Sequence, residues 1–393
     1  MDPANIAQTD YLISMARLRL LGRALGIGLL AASFASAEAG LLSSQYGGLS
    51  ESIGQQGSKI RDRQKEFALQ RQMAQAQRRS IFRILSWNVQ TFGKLKPERE
   101  AAYEMLGEMF SSKRSSKVLA LQEVANDKGS DTFSDLLPGG GKRWNKSFQN
   151  TSDSQDNGFY TQKSVEVECD EFLFARENED GGYDRDDKAQ HPVRAAHMRV
   201  GDFDFTLITL HLTFKGGDTN ASGEELKDIL RWLENYFDNP ENDPDVILAG
   251  DFNMTTRAGA TSSRKVTLED IIEQFPTFQR TYDADGKRVP KKTELIALVD
   301  APTSRHKGET KNNYDHFIVS GDVYDEEYVG GSAGPIPAAF IEAAEKAHDV
   351  YVSDHLPISA GFLSKGTGND GETIRSDQLG PTSSRSCWKR GRK

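Results

Sequence analysis

Ile81-Phe82-Arg83-Ile84-Leu85-Ser86-Trp87-Asn88-Val89-Gln90-Thr91-Phe92-Gly93 starts as a buried strand and runs out into amides and a hydroxyl. The apolar run Ile81 to Trp87 predicts a strand, and Asn88 stands directly past it. An amide at a strand end commonly caps a turn, so Asn88 alone decides little. The same pattern recurs along the chain, however. Val118 to Leu121 leads into Gln122-Glu123, Phe203 to Leu210 into His211, and Val246 to Ala249 into Gly250-Asp251-Phe252-Asn253. Phe317 to Val319 follows Asn313-Tyr314-Asp315-His316, and Ile358 to Leu363 follows Ser353-Asp354-His355. Phe172 to Ala175 completes the set of expected strands.

Helical patterns alternate with these runs. Pro97 opens one in which Ala102, Met105, Leu106, Met109 and Phe110 share a face, with Glu98 and Glu100 in the first turn. Ser222 and Glu225 have capping-box spacing before Leu226, Ile229, Leu230, Leu233 and Phe237. Val266 to Phe275 and Pro337 to Ala347 read as two more helices. Strands mixed with helices in this way imply an α/β fold built in layers.

Carboxylates at buried strand ends are costly unless a positive partner sits among them. The clusters contain few lysines or arginines, so a divalent cation is the economical partner. Oxygen ligands such as Glu123, Asp354 and the Asn88 amide suit Mg2+, Mn2+ or Ca2+ rather than zinc. The two cysteines, Cys169 and Cys387, are a poor zinc site and allow one disulfide at most. His211 and His355 titrate near neutral pH and can donate to phosphoryl oxygens. A carboxylate behind each ring would fix its tautomer. Phosphodiester hydrolysis needs this combination of positioned water, charge neutralisation and stabilised leaving oxygen.

The flanks differ from this central part. Arg17, Arg19 and Arg23 precede an apolar run, Ala24 to Ala37, that ends in small residues. Residues 1–39 therefore have the parts of a secretory signal, implying a secreted or periplasmic protein. Membrane association through residues 17–39 and a packed helix are the other two readings. Residues 40–80 are rich in Ser, Gly, Gln and Arg and read as a polar linker or stalk. Residues 366–393 form a polar tail closing in Lys389-Arg390-Gly391-Arg392-Lys393. The domain proper is 81–365. With a net charge of -9, the chain is no passive coat for nucleic acid, which would be held by basic surface.

Taken in order, the stretches Ser86 to Gly93, Leu121-Gln122-Glu123-Val124, Leu210-His211-Leu212, Gly250-Asp251-Phe252-Asn253, Tyr314-Asp315 and Ser353-Asp354-His355-Leu356-Pro357 resemble the endonuclease/exonuclease/phosphatase superfamily. The resemblance is nearest to its deoxyribonuclease I-like branch. It implies a four-layer α/β/β/α sandwich with the site at one edge of the paired sheets. By matching positions, Glu123 would hold the metal, assisted by Asn88 and Asp354. Asp251 would orient or deprotonate the attacking water, and Asn253 would bind phosphate. His355 would contact the phosphoryl group, oriented by Asp315, and His211 would be the second imidazole. Gln90 and Tyr314 would face substrate.

Two departures stand out. The carboxylate that orients the first histidine is Glu168 or Glu171 here, with Glu168 preferred. The arginine expected ahead of a proline is Gln190, before His191-Pro192, so Arg185 or Arg194 would contact phosphate instead. The resemblance implies a metal-dependent nuclease acting on nucleic acid, DNA first. The same scaffold also serves lipid and small phosphoester hydrolases, and a non-catalytic binding module is a third reading. Lys94, Lys96 and Arg99, and separately Lys287, Arg288, Lys291 and Lys292, are the basic sets that could line a phosphate backbone.

Overall fold

Strands form where β-branched and aromatic residues run together, and in this chain such runs build two sheets. The computed structural model describes residues 81–364, apart from 94–96, 112–115, 152–154, 178–182, 186–190, 217, 261–264 and 307–308. The signal-like segment, the linker, the basic tail, Lys94, Lys96, Gln190, Cys387 and the side chain of Arg185 lie outside the described residues.

In chain order the sheet strands are β1 (Ile81–Phe92), β2 (Ser116–Val124), β3 (Trp144–Ser147), β4 (Asp156–Gln162), β5 (Glu166–Phe172) and β6 (Arg194–Val200). They continue with β7 (Phe203–His211), β8 (Val246–Asp251), β9 (Leu295–Ala297), β10 (Asp315–Ser320), β11 (Gly334–Pro335) and β12 (Ile358–Leu363). The first sheet has the order β11-β12-β1-β2-β4-β3 and the second β9-β10-β8-β7-β6-β5. Each sheet has one parallel pair at its centre, β1 with β2 and β7 with β8. Every other neighbour is antiparallel.

Three apolar layers hold four structural layers together. Phe82, Ile84, Val118 and Phe159 of the first sheet pack on Phe205, Leu207, Ile247 and Phe317 of the second. The outer face of the first sheet is covered by α1 (Pro97–Ser111), α2 (Asp127–Leu136) and α6 (Ala338–His348), through residues such as Tyr103, Leu106, Phe133 and Ile341. The outer face of the second is covered by α3 (Asn220–Phe237) and α4 (Leu268–Ile272), through Leu226, Leu230, Leu233 and Ile271. A short α5 (Gly321–Glu326) follows β10. This is the α/β/β/α sandwich that the resemblance implies. Inside the otherwise apolar seam, Gln122 Nε2 donates to Thr209 Oγ1 at 2.9 Å, a polar strut from sheet to sheet just short of the strand ends.

Several expectations are corrected. Phe172 to Ala175 is not one strand: β5 ends at Phe172, a bend occupies 173–174, and the chain turns into a separate two-stranded piece. Ser222 and Glu225 make no capping box. Thr219 is the N-cap, without a side-chain cap, and both residues reach outward to Thr213 instead. Met105 is exposed, and Tyr103 takes the inward position on α1.

Candidate active site

Parallel pairing in each sheet puts two strand ends side by side. Asn88 of β1 lies opposite Gln122, next to Glu123, and His211 of β7 lies opposite Asp251 of β8. The seam between the sheets then brings the two pairs together. Asn88 Nδ2 donates to Glu123 Oε1 at 2.9 Å and to Asp251 Oδ2 at 3.1 Å, so one amide spans both sheets. Thr91 grips the other oxygen of Glu123, with its backbone N at 2.9 Å and its Oγ1 at 3.1 Å.

The backbone is bent sharply to achieve this. Gln90, Thr91, Glu123 and Asn253 have φ of 47°, 53°, 61° and 49°, and among the described residues only Asp349 joins them as a non-glycine with positive φ. Left-handed conformations cost of order 1–3 kcal/mol each for such residues, and their clustering at one spot marks a site for which fold stability has been given up. Gly250, with φ 155°, is required for a related reason: a Cβ there would fall well inside contact distance of the Leu210 carbonyl oxygen.

His355 crosses from one sheet to the other. It lies just before β12 of the first sheet, where Trp87 Nε1 donates to its carbonyl at 3.1 Å. Its ring sits between carboxylates of the second sheet, with Nδ1 2.7 Å from Asp315 Oδ2 and Nε2 3.4 Å from Asp251 Oδ2. Burial alone would lower its pKa, but the charges of Asp315 and Asp251 outweigh burial and raise it well above the usual imidazole value. Burial raises Asp251 as well, against the pull of His355 and His211. The geometry thus favours an imidazolium held between two carboxylates. Asp251, Asp315 and His355 also lie close enough to share a cation; the ring nitrogens are instead used on the two carboxylates.

His211 Nε2 is 3.7 Å from Asp251 Oδ2 and 3.8 Å from Glu123 Oε1. The His191 ring stacks on it, 4.4 Å away and 7° from parallel. Asn253 donates its backbone N to Asp251 Oδ1 at 2.9 Å and Nδ2 to the Leu212 carbonyl at 2.7 Å. The loop carrying Asp354 and His355 is pinned by Ser353 Oγ, which donates to the Asn88 carbonyl at 2.7 Å. Asp354 is less buried, and its charge, like that of Glu123, is felt at Tyr103.

A model of the endonuclease/exonuclease/phosphatase family matches residues 85–355 of the chain. The chain belongs to this family. Its members are generally metal-dependent hydrolytic enzymes. No protein of curated function matches the chain. Among solved structures, the endonuclease/exonuclease/phosphatase chain is similar to D. rerio TDP2 complexed with single strand DNA product, at 17% identity over 72% of this chain and 99% of that one, with TM-score 0.44. It is similar to an endonuclease/exonuclease/phosphatase family protein from Bacteroides thetaiotaomicron, at 16% identity over 72% and 95%, TM-score 0.47. The mannosyl-6-phosphatase Bt3783 of that organism is also similar, at 15% identity over 72% and 99%, TM-score 0.45.

Of the residues expected from the sequence, Asn88, Glu123, His211, Asp251, Asn253, Asp315 and His355 come together, with Gln90 and Tyr314 beside them. Gln90 is half-buried and donates its backbone N to Asn88 Oδ1 at 3.0 Å. The pKa of Tyr314 is raised by burial and by the charge of Asp251.

Glu168 does not orient His211. It pairs with Arg199 and lies 3.9 Å from His197 Nε2. His197 faces Thr206, five residues from His211 along β7 and so roughly 17 Å away at the usual strand rise. Arg194 does not reach toward substrate either. It is buried in a two-pronged pair with Asp170, at 2.6 and 2.8 Å, with Phe172 beneath it. The expected basic rim is similarly occupied. Arg99 donates to the carbonyls of Val89, Gln90 and Val352, Arg288 pairs with Glu294 and Asp325, and Lys292 pairs with Asp322. Thr91, Ser353, Thr303 and His191 were not among the expected site residues. Thr91 and Ser353 lie inside the quoted stretches, whereas nothing in the sequence marks Thr303, whose Oγ1 accepts from the backbone N of Tyr314 and Asp315.

Proposed function

We propose that the chain is a divalent-metal-dependent phosphodiesterase that cleaves nucleic acid, DNA foremost. The observation carrying this reading is the convergence of Asn88, Glu123, His211, Asp251 and Asp315 from five strand ends, and of His355 from the loop before β12, onto one cluster of hydrogen bonds and ion pairs. The donors fit a hard cation. Glu123, Asp251 and Asp315 are buried carboxylates whose ion-pair partners among the described residues are imidazoles, and their oxygens suit Mg2+, Mn2+ or Ca2+. Glu123, Asn88 and Asp354 would hold the ion, which when bound supplies Lewis-acid neutralisation of phosphoryl charge.

The chain's own groups have distinct tasks. Asp251 would orient or deprotonate the attacking water, with Asn88 and Asn253 fixing its two oxygens. His355, held protonated by Asp315, donates to a phosphoryl oxygen. His211, flat against His191, donates on the leaving-group side or stabilises the transition state. Asn253 can offer its second amide hydrogen to phosphate. The signal-like N-terminal segment supports action outside the cytoplasm, in the periplasm or medium.

A second reading, a phosphohydrolase for a lipid or small phosphoester, is favoured by one observation: Arg99, Arg194, Arg288 and Lys292 are all engaged within the protein. Plasmid and oligonucleotide digestion with Mg2+, Mn2+, Ca2+ or chelator separates the two. Metal-dependent cutting that vanishes in His355→Ala and Glu123→Ala supports the nuclease. Intact nucleic acid alongside product from sphingomyelin or an inositol phosphate supports the alternative. Cleavage surviving both substitutions removes the site.

A further inference from the structure

Phe214 stands three residues past His211 and leaves 56% of its surface exposed. A single exposed apolar side chain is ordinary on a protein surface and needs no explanation. Phe214 differs in how it is mounted. Leu212 N donates to the Asp251 carbonyl at 2.9 Å, and the Leu212 carbonyl accepts from Asn253 Nδ2 at 2.7 Å. Thr213 donates N and Oγ1 to the Glu225 carboxylate at 2.7 and 2.5 Å, and its carbonyl accepts from Ser222 Oγ at 2.7 Å. Five hydrogen bonds therefore fix the two residues before Phe214, two of them to the strand end bearing Asp251. The ring is held out to solvent by rigid backbone beside the reacting groups.

It also has a neighbour. The ring of Tyr314, a buried residue, lies 6.3 Å away, tilted by 56°, and so backs Phe214 on one side while Phe214 itself stays open to solvent. Tyr314 is itself fixed, with its N donating to Thr303 Oγ1 at 3.1 Å and its carbonyl accepting from Phe252 N at 2.8 Å. Lys215, exposed, follows Phe214 directly. A flat apolar face beside the catalytic groups, with a cation next to it, matches a planar ring joined to an anionic backbone. Bases within a duplex are already stacked on each other and cannot use such a face; bases of a single strand can. Base-on-aromatic stacking tolerates any sequence, because every base has a π-face.

We infer that Phe214, backed by Tyr314, forms a stacking platform for the nucleobase flanking the scissile phosphodiester, and that the preferred substrate is therefore a single strand. This rests on the phosphodiesterase reading above and adds the form of the substrate to it. The platform explains how an acidic protein with Arg99, Arg194 and Arg288 engaged internally holds a strand: by ring contact more than by charge.

The test uses the full chain with Mg2+ or Mn2+ and three end-labelled probes. These are a single-stranded oligodeoxynucleotide, the same strand with one base replaced by a tetrahydrofuran abasic residue, and the duplex. Wild type is expected to prefer the single strand and to skip the bond beside the abasic residue. In Phe214→Ala, KM for the single strand rises roughly 5- to 100-fold, the range that one lost stacking contact gives, and the abasic position is no longer skipped. Phe214→Trp keeps both properties. Because the side chain is exposed, the thermal transition of Phe214→Ala should match wild type, which separates a lost contact from a lost fold. Nucleic acid cut without regard to the abasic residue, or a duplex preference, overturns the platform and leaves the nuclease standing. No cleavage of any strand, with a small phosphoester hydrolysed instead, overturns both.

Discussion

The two sheets share one plan and use it for different chemistry. Each runs antiparallel, antiparallel, parallel, antiparallel, antiparallel across its six strands, and each presents functional residues where its parallel pair ends. At the end of β1 and β2, the Glu123 carboxylate is gripped by neutral donors, Asn88 Nδ2 and both donors of Thr91. At the end of β7 and β8, the Asp251 carboxylate is faced by two imidazoles, His211 and His355. Neutral donors leave a carboxylate its full charge for a cation. Imidazoles give it a proton to exchange. On the proposed function the first sheet would hold metal and the second would move protons, with the Asn88 amide joining the two and His211 reaching toward both carboxylates.

Paired substitutions can break this division. Asp251→Asn should lower kcat by about 10³-fold or more at any metal concentration, since general acid–base loss alone accounts for roughly 10²–10⁴. Glu123→Gln should lower activity comparably at low Mg2+ or Mn2+, yet recover in part as metal is raised. A metal titration of both variants checks it. Equal recovery, or none in either, would mean the two sheets are not specialised in this way.

The next effect concerns stability. Gly250→Ala should destabilise by roughly 3 kcal/mol or more, because the backbone must move to relieve the clash with the Leu210 carbonyl and the new residue must hold positive φ. The position before Asn88 in the first sheet is Trp87, fully buried and with an ordinary strand conformation. Its indole makes the 3.1 Å bond to the His355 carbonyl. Trp87→Phe should therefore cost less, near the ~1 kcal/mol of one buried hydrogen bond plus a packing defect. Chemical denaturation of the two variants ranks them.

Protonation offers a smaller, pH-dependent effect. In chelated protein His355 has a raised pKa, so its pairing stabilises the fold fully below the unfolded imidazole value of about 6.5. That stabilisation is lost as pH rises through the raised folded value. Asp315→Asn removes the carboxylate at 2.7 Å. The stability gap between wild type and Asp315→Asn should be widest near pH 6, at roughly 1–3 kcal/mol, and narrow at alkaline pH. A gap that widens with pH would place the proton elsewhere in the cluster.

The strand-end residues were legible because the signal is simple: an apolar run stops and a polar side chain follows at once. Asn88, Glu123, His211, Asp251 and His355 all obey it. Glu168 misled because β5 slips in register against β6 between Val167 and Cys169, and such a bulge changes which side chains face the site. That slip has no signature in a strand as polar as Glu166–Phe172. Arg194 misled because the sequence does not show that Asp170 waits across the strand. β4 escaped notice since Asp156-Asn157-Gly158 reads as a turn, whereas Asp156 is buried and bonded to Thr151. The hydroxyl of Thr91 holds the Glu123 side chain and those of Thr303 and Ser353 fix backbone, all at sequence separations that local pattern does not encode.

His355 is where the comparison is least symmetrical, because it belongs to the first sheet by chain and to the second by bonding. Its loop must hold position against both, and Arg305 joins Ser353 and Trp87 in fixing it. Arg305 N donates to the Asp354 carbonyl at 2.6 Å, and Nη1 donates to the Ser353 carbonyl at 2.9 Å. The guanidinium is in turn clamped by Glu345 of α6 at 2.9 and 2.7 Å. A lysine keeps the charge but cannot serve Ser353 and both oxygens of Glu345 in one plane. Arg305→Lys should therefore lower kcat only a few-fold, roughly what a sub-ångström shift of His355 costs, with the Mg2+ dependence nearly unchanged because Glu123 and Asn88 are untouched. If metal affinity fell as much as kcat, Asp354 would be a stronger ligand than its exposure suggests, and the loop would belong with the first sheet after all.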